Sequence, residues 1–340
     1  MKSLKDYSLN LSEKEYHELD AWSYSLIARY AKDGFSAIST LHEPVKQTDS
    51  MRFGSLFDCM LTRPEDVKKE YEVQDTSVPD AEKKVLDVLA TMTSTAYDMV
   101  TDEEFQKAIS ISGYQPRWKY ETQKAHLDPF CDYFNSVKSG KTIISQEEWS
   151  DALEMYKAVR TNEYLKEHLK NKSDNDKEYI YQAQFIIDYL TENHGTVKMK
   201  IMPDMLEVDH KARTIRPWDI KTSAMPGYDF ADQFLRFRYD IQAELYTDVL
   251  EAVLNKIPEY EDYKILPYLF MDISRADKVP VTYEYDPFEG LSFTKNDKTY
   301  QYKGYRELLE EILEYEATAA KVPSYIKTDE PNDLISILSK

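Results

Sequence analysis

Asp204 and the triplet Asp219-Ile220-Lys221 are the residues whose types and spacing could do chemistry in this chain. Side chains alternate along a strand, so Asp219 and Lys221 share one face. If His210-Lys211-Ala212-Arg213 form the connection between two strands, Asp204 lies opposite Asp219. Directly opposed Cβ atoms are about 4.5–5.5 Å apart. Two carboxylates about 5 Å apart repel by roughly 3 kcal/mol at an effective dielectric near 20. A divalent cation between them removes that penalty, and Mg2+ is held this way by a few carboxylates plus water. Lys221 would then orient or activate an attacking water, or offset phosphate charge. The chemistry this suits is metal-assisted phosphodiester hydrolysis. The triplet alone is a weak signal, because Asp-x-Lys recurs at 66–68, 209–211 and 262–264 among 62 acidic residues. Pro203 and Pro217 also threaten a regular ladder. Context raises the signal: Ile215, Trp218 and Ile220 make the second strand largely apolar, and a long amphipathic stretch follows.

These groups need elements to hold them. KEYIYQAQFIIDYL, starting at 177, is rich in β-formers and alternates; with VKMKIMPDMLEV and TIRPWDIKTS it predicts an antiparallel meander. Residues 228–256 predict one long helix, with Phe230, Phe234, Phe237, Ile241, Leu245 and Val249 as its buried stripe. Gln242 and Tyr246 are four apart on it and share a face. By themselves they read as a polar pair beside the core stripe. Arg236 and Arg238, one to two turns upstream, could meet phosphates; taken singly they read as solvated surface. KILPYLFMDI and VPVTYEYD are further strands, and YRELLEEILEYEATAAK is a closing helix. Upstream, 13–34 reads as helical with Ser25 as an N-cap, and SMRFGSLFDCMLT as a second helix. From 80 to 170 the pattern is helical and charged, interrupted by SGYQPRW and HLDPF.

The bulk numbers bound the rest. The chain has 340 residues, 42% of them hydrophobic, enough for a sizeable core. No apolar run approaches the roughly 18 residues of a membrane span, and MKSLKDYSLNLSEKE lacks the apolar stretch of a secretory signal. Cys59 and Cys131 make neither a disulfide framework nor a four-cysteine iron–sulfur or zinc site, so a cytoplasmic setting is expected. The net charge of −19 argues against broad nonspecific nucleic-acid binding, though a local basic channel and bound cations reverse the field where they sit. SGKT at 139–142 is no phosphate loop, since position 135 is Asn135 rather than glycine. The six histidines lack zinc spacing. RWKYETQK mixes basic and aromatic residues as single-strand binders do, but a loop packed by Trp118 is the plainer reading.

Pro203-Asp204, Asp219-Ile220-Lys221 and Gln242-Ala243-Glu244-Leu245-Tyr246 together resemble the RecB-like branch of the PD-(D/E)xK nucleases. YHELDAWSYSLIARYAKDGFSAIST and MRFGSLFDCMLT resemble the opening of RecE-type phage exonucleases, where a G-x-x-x-H helix supplies the first motif. Here the glycine is Gly54 and the histidine position is Asp58, a departure that still offers Mg2+ an oxygen ligand. The likeness covers 15–65 and 177–275, and 66–175 matches nothing recognisable. It implies an α/β fold with a central mixed sheet flanked by helices and a helical insertion. Residues 1–65 would be the N-terminal helical part, 66–176 the insertion, 177–325 the nuclease core and 326–340 a flexible tail. It implies Mg2+, with Mn2+ as a substitute, on Asp58, Asp204, Asp219 and the carbonyl of Ile220, without an iron–sulfur cluster. Lys221 would position the water, Gln242 and Tyr246 would orient the strand or the scissile backbone, and Arg236 and Arg238 would contact phosphates. The activity implied is 5′→3′ digestion of linear duplex DNA in phage-type recombination, in the host cytoplasm if phage-encoded. The partner implied is a single-strand annealing or single-strand-binding protein, and the assembly a homo-oligomeric ring. An endonuclease or nickase on the same scaffold, and a non-catalytic DNA-binding or assembly protein, are the alternatives.

Overall fold

The structure is a computed structural model, and it describes residues 2–43, 45, 47–74, 78–170, 173–174, 176–295 and 298–319. Two units form by contact. One is residues 49–157; the other joins residues 1–48 to those from Ala158 onward.

In the smaller unit, apolar residues at helical spacing give the helices Asp49–Thr62, Asp80–Met92, Asp102–Ser112, Tyr120–Leu127 and Cys131–Lys138. Leu86, Leu89, Phe105, Leu127 and Phe134 are buried together between the last four. The unit is not purely helical: β1 (Tyr71–Gln74) and β2 (Thr142–Ser145) pair in parallel. Its limits also differ from the expected 66–176. Arg52 Nη2 lies 2.6 Å from Oε1 of the buried Glu148, which ties the Gly54–Asp58 helix to the start of the helix Gln146–Thr161. At the other end, His168 Nδ1 lies 2.8 Å from Oε2 of Glu207, so the residues after 157 belong with the sheet.

The larger unit carries β3 (Lys177–Tyr181), β4 (Phe185–Leu190), β5 (Thr196–Ile201), β6 (Met205–Asp209), β7 (Thr214–Ser223), β8 (Lys264–Ile265), β9 (Tyr268–Ser274) and β10 (Pro280–Tyr285). The central sheet runs β10-β9-β7-β6-β3, with β8 beside the start of β7. It is mixed. β3–β6, β6–β7 and β9–β10 are antiparallel, whereas β7 pairs in parallel with β8 and β9. β4 and β5 stand apart as a hairpin, as do β11 (Ser292–Lys295) and β12 (Lys298–Gln301). The expected strand through VKMKIMPDMLEV breaks at Met202-Pro203-Asp204, where proline has no N–H to give a ladder. Pro217 is tolerated inside β7 because it falls where the parallel partner changes from β8 to β9.

Parallel strands need a long crossover, and β7 reaches β9 through two helices. Helix Tyr239–Leu254 lays Ile241, Leu245 and Val249 on Leu206, Val208 and Ile215 of the sheet. Helices Tyr24–Asp33 and Tyr305–Ala319 join this core. On the opposite face Trp218 meets His168 of the short helix Leu165–His168, ring centroids 5.4 Å apart. The chain is therefore α/β, a mixed sheet with helices on both faces.

Two expected helices are interrupted. The stretch 228–256 splits into Phe230–Phe237 and Tyr239–Leu254 at Arg238, which is left-handed at φ 55°. That conformation costs a non-glycine residue about 1–2 kcal/mol. Asp240, which takes Arg238 Nε at 3.0 Å and Nη2 at 2.8 Å, and the Lys303 carbonyl hold it there. The predicted stripe fails at the break: Phe237 is 40% exposed. Likewise 13–34 becomes Glu13–Glu18 and Tyr24–Asp33. Lys200 Nζ ends the first by donating to the carbonyls of Tyr16, His17 and Leu19. Trp22 then bonds along β5, and Ser23 rather than Ser25 occupies the second N-cap position. The expected tail, 326–340, lies outside the described residues. Among the described residues no helix is long and apolar enough to cross a membrane.

Candidate functional site

The β6–β7 turn uses His210–Arg213, and Met205 pairs with Trp218 at the end of the ladder. The ladder stops there; continued one step past it, the same register would oppose Asp204 to Asp219, as the sequence predicts. Asp204 turns its Oδ2 onto the main-chain N–H of Ile220, which donates at 2.6 Å. Asp219 is 2% exposed. Lys221 Nζ forms an ion pair with Asp219 Oδ2 at 2.6 Å. Gln242, buried on the covering helix, clamps both partners. Its Nε2 donates to Asp219 Oδ1, and its Oε1 accepts from Lys221 Nζ at 3.1 Å. Asp219, Lys221 and Gln242 thus meet at one point, with Asp204 beside them on the Ile220 N–H.

Aromatic rings form the floor. Lys221 Nζ sits 4.4 Å from the Tyr239 ring centroid, and Tyr239 stacks on Phe270 and Phe230. A desolvated cation–π contact contributes about 2 kcal/mol. Tyr24, whose hydroxyl donates to the Phe237 carbonyl at 2.7 Å, adds a phenol beside the ammonium. Burial works to lower the Lys221 pKa. Asp219, Tyr239, Tyr24 and Asp204 together outweigh it, and the ammonium is held charged above its ordinary range. Lys221 is therefore held as a cation. Burial pushes the Tyr246 phenol well above its usual value, with Tyr16, Asp219 and Asp204 adding to it. Tyr246 so stays protonated, packed edge-on to Tyr268 at 6.3 Å.

The remaining predicted residues divide. Arg236 is exposed on the helix Phe230–Phe237. Arg238 is not available in the way expected: it is buried and committed to Asp240 and Lys303, so it is a structural joint. Asp58 is half-buried on the helix Asp49–Thr62 of the smaller unit, its carbonyl accepting from Thr62 Oγ1 at 2.9 Å. No family model matches the chain, and no curated protein matches it.

Among the described residues no group of three or more His, Cys, Asp and Glu side chains could hold a metal ion. The donors at the β6–β7 edge are two carboxylates and the Ile220 carbonyl. This all-oxygen set suits Mg2+, which often takes one or two carboxylates and completes its shell with water and phosphate. Asp219 Oδ2, buried and paired only with the Lys221 ammonium, is the atom such an ion would take.

Sequence reasoning missed Tyr239, Tyr24 and Asp272. Tyr239 is three residues before Gln242, so the helical spacing points to it. Asp272 is a lone acid in an apolar strand, a visible anomaly. Tyr24 carries no local signal.

Proposed function

We propose that this protein is a Mg2+-dependent deoxyribonuclease with a PD-(D/E)xK core of the RecE-like kind, digesting linear duplex DNA from an end. The observation that carries the reading is the meeting of Asp204, Asp219, Lys221 and Gln242, each singled out for this chemistry by residue type and order. A divalent cation held by Asp204, Asp219 and the Ile220 carbonyl would offset the charge that builds on a phosphate under attack. Lys221 keeps its proton and directs it at a phosphate oxygen or the incoming water. Gln242 fixes the rotamer of Asp219, so the carboxylate that would hold the cation needs little reorganisation when substrate arrives. The aromatic floor excludes water and strengthens each of these interactions. Arg236 supplies a phosphate contact on the adjoining helix. By the same likeness the proposal extends to 5′→3′ polarity and to a single-strand annealing or binding protein as partner.

The test is purified protein with Mg2+ on end-labelled linear duplex, beside a covalently closed circle and the Asp219→Ala variant. Linear DNA should be consumed, the circle should survive, and the variant should be inert. Cleavage of the circle would move the reading to an endonuclease. Undiminished digestion by Asp219→Ala would end it.

A further inference from the structure

Asp272 lies on β9 in register with Lys221 and on the same face of the sheet. It is fully buried, and its strand neighbours Leu269, Phe270, Met271 and Ile273 are buried and apolar. Ser223 Oγ lies 3.3 Å from Asp272 Oδ2, while Oδ1 has no hydrogen-bond partner. Burial pushes this carboxyl up to about 6, the Ser223 hydroxyl pulling the other way. An acid left partly unsatisfied in a core is costly, and nothing in the packing requires one here. Gly227 packs over this region: a Cβ there would stand 2.9 Å from Val281 Cγ2, with Asp272 Oδ2 in ordinary contact at 3.9 Å.

Lys221 thus has two carboxylates on its own face, Asp219 along the strand and Asp272 across it. Its flexible four-carbon stem allows either. In this structure the ammonium is on Asp219 Oδ2. That oxygen is also one the proposed cation needs, and an ammonium and a divalent ion repel strongly at such a distance. Cation entry must move the ammonium, and Asp272 is a fixed anion in the adjacent register position.

We infer that Asp272 is a positioning residue that receives the Lys221 ammonium when a divalent cation claims Asp219. The inference rests on the metal site of the proposed function. It gives the unsatisfied Oδ1 a partner in the loaded state, and it keeps the lysine beside the site instead of expelling it.

Mn2+ titration calorimetry on DNA-free protein tests it, using wild type, Asp272→Asn, Lys221→Met and the double variant. Asp272→Asn should weaken Mn2+ binding about tenfold or more, the scale of a lost hydrogen bond to a charged group. In the Lys221→Met background, where no ammonium has to move, the same change should have no effect. An equal penalty in both backgrounds would make Asp272 a direct ligand or a structural prop and overturn the inference; so would no penalty in either. Should Asp272→Asn not fold, the 15N resonance of the Lys221 ammonium in the unaltered protein decides: it should shift on adding Mg2+, and a resonance that stays put refutes the transfer. Wild-type protein that binds no Mn2+ sinks the metal site and this inference with it. Mn2+ binding without the Lys221-dependent effect sinks the inference alone.

Discussion

Replacing Glu244 with glutamine should stabilise the protein at pH 8 and leave it unchanged at pH 4.5. Glu244 is half-buried on the helix Tyr239–Leu254, and the main-chain N–H of Tyr305 reaches its Oε2 only at 3.4 Å. Burial pushes its carboxyl from 4.5 up to about 7; Asp240 and Asp248 add to the rise, and Arg238 opposes it. Between these two values the unfolded chain releases the proton while the folded chain keeps it, so stability falls as pH rises across the window. At about 1.4 kcal/mol per tenfold change in the proton equilibrium, the ionised side chain costs the fold about 3 kcal/mol above pH 7. Glutamine keeps the size and the acceptor without the charge. Urea unfolding should therefore show Glu244→Gln ahead by about 2–3 kcal/mol at pH 8, with an unchanged slope. At pH 4.5, where most of the folded wild type already holds the proton, the two should nearly coincide. If the units unfold in separate steps, only the step of the sheet unit should move. Equal midpoints at pH 8, or a full advantage for the variant at pH 4.5, would refute the account of a strained, desolvated carboxylate.

Gln242→Leu removes two hydrogen bonds to charged groups. It should cost about 3 kcal/mol in urea unfolding and lower the rate of linear-duplex digestion at least about tenfold, the scale of lost catalytic positioning. The two arginines should separate cleanly. Arg236→Ala should weaken DNA binding in fluorescence anisotropy and reduce the salt slope by about one without changing the melt. Arg238→Ala should cost about 3–5 kcal/mol of stability, because it strands the buried Asp240. Lys200→Met takes three carbonyls' donor away and should lower the stability of the fold by about 2–3 kcal/mol in thermal melts.

The Asp204–Asp219 register was legible because two facts fix it locally: side chains alternate with period two, and His210–Arg213 bound the turn. Gln242 and Tyr246 were legible from helical spacing, though only the folded chain shows Gln242 gripping Asp219 and Lys221 at once. The break at Arg238 was hidden because the stripe Phe230, Phe234, Phe237, Ile241 runs smoothly through it. Arg238 is held in its left-handed conformation by Asp240 and by a carbonyl at Lys303, far along the chain, and that second partner is invisible in the local pattern. The place of Asp272 beside Lys221 was hidden for the same reason, since parallel pairing of β7 with β9 depends on a crossover and not on a turn. Arg238 itself was misread as a phosphate contact because charge in a sequence says nothing about burial. The smaller unit's edge at Asp49 was obscured because Arg52 finds its partner, Glu148, only in three dimensions.

The segment before residue 49 belongs to a unit whose other parts come more than a hundred residues later. Trp22 bonds to Lys198 and Lys200, Tyr24 to Phe237, and Tyr30 to Glu311. A ribosome delivers the chain in order, and domains tend to fold as they emerge. Residues 49–157 are contiguous and can close on themselves early, while the opening helices wait without their sheet until the last strands and the final helix have been made. Nascent protein therefore passes through a long interval in which the early-made helices expose the apolar surface meant for later strands, and in that interval they are open to chaperones and proteases.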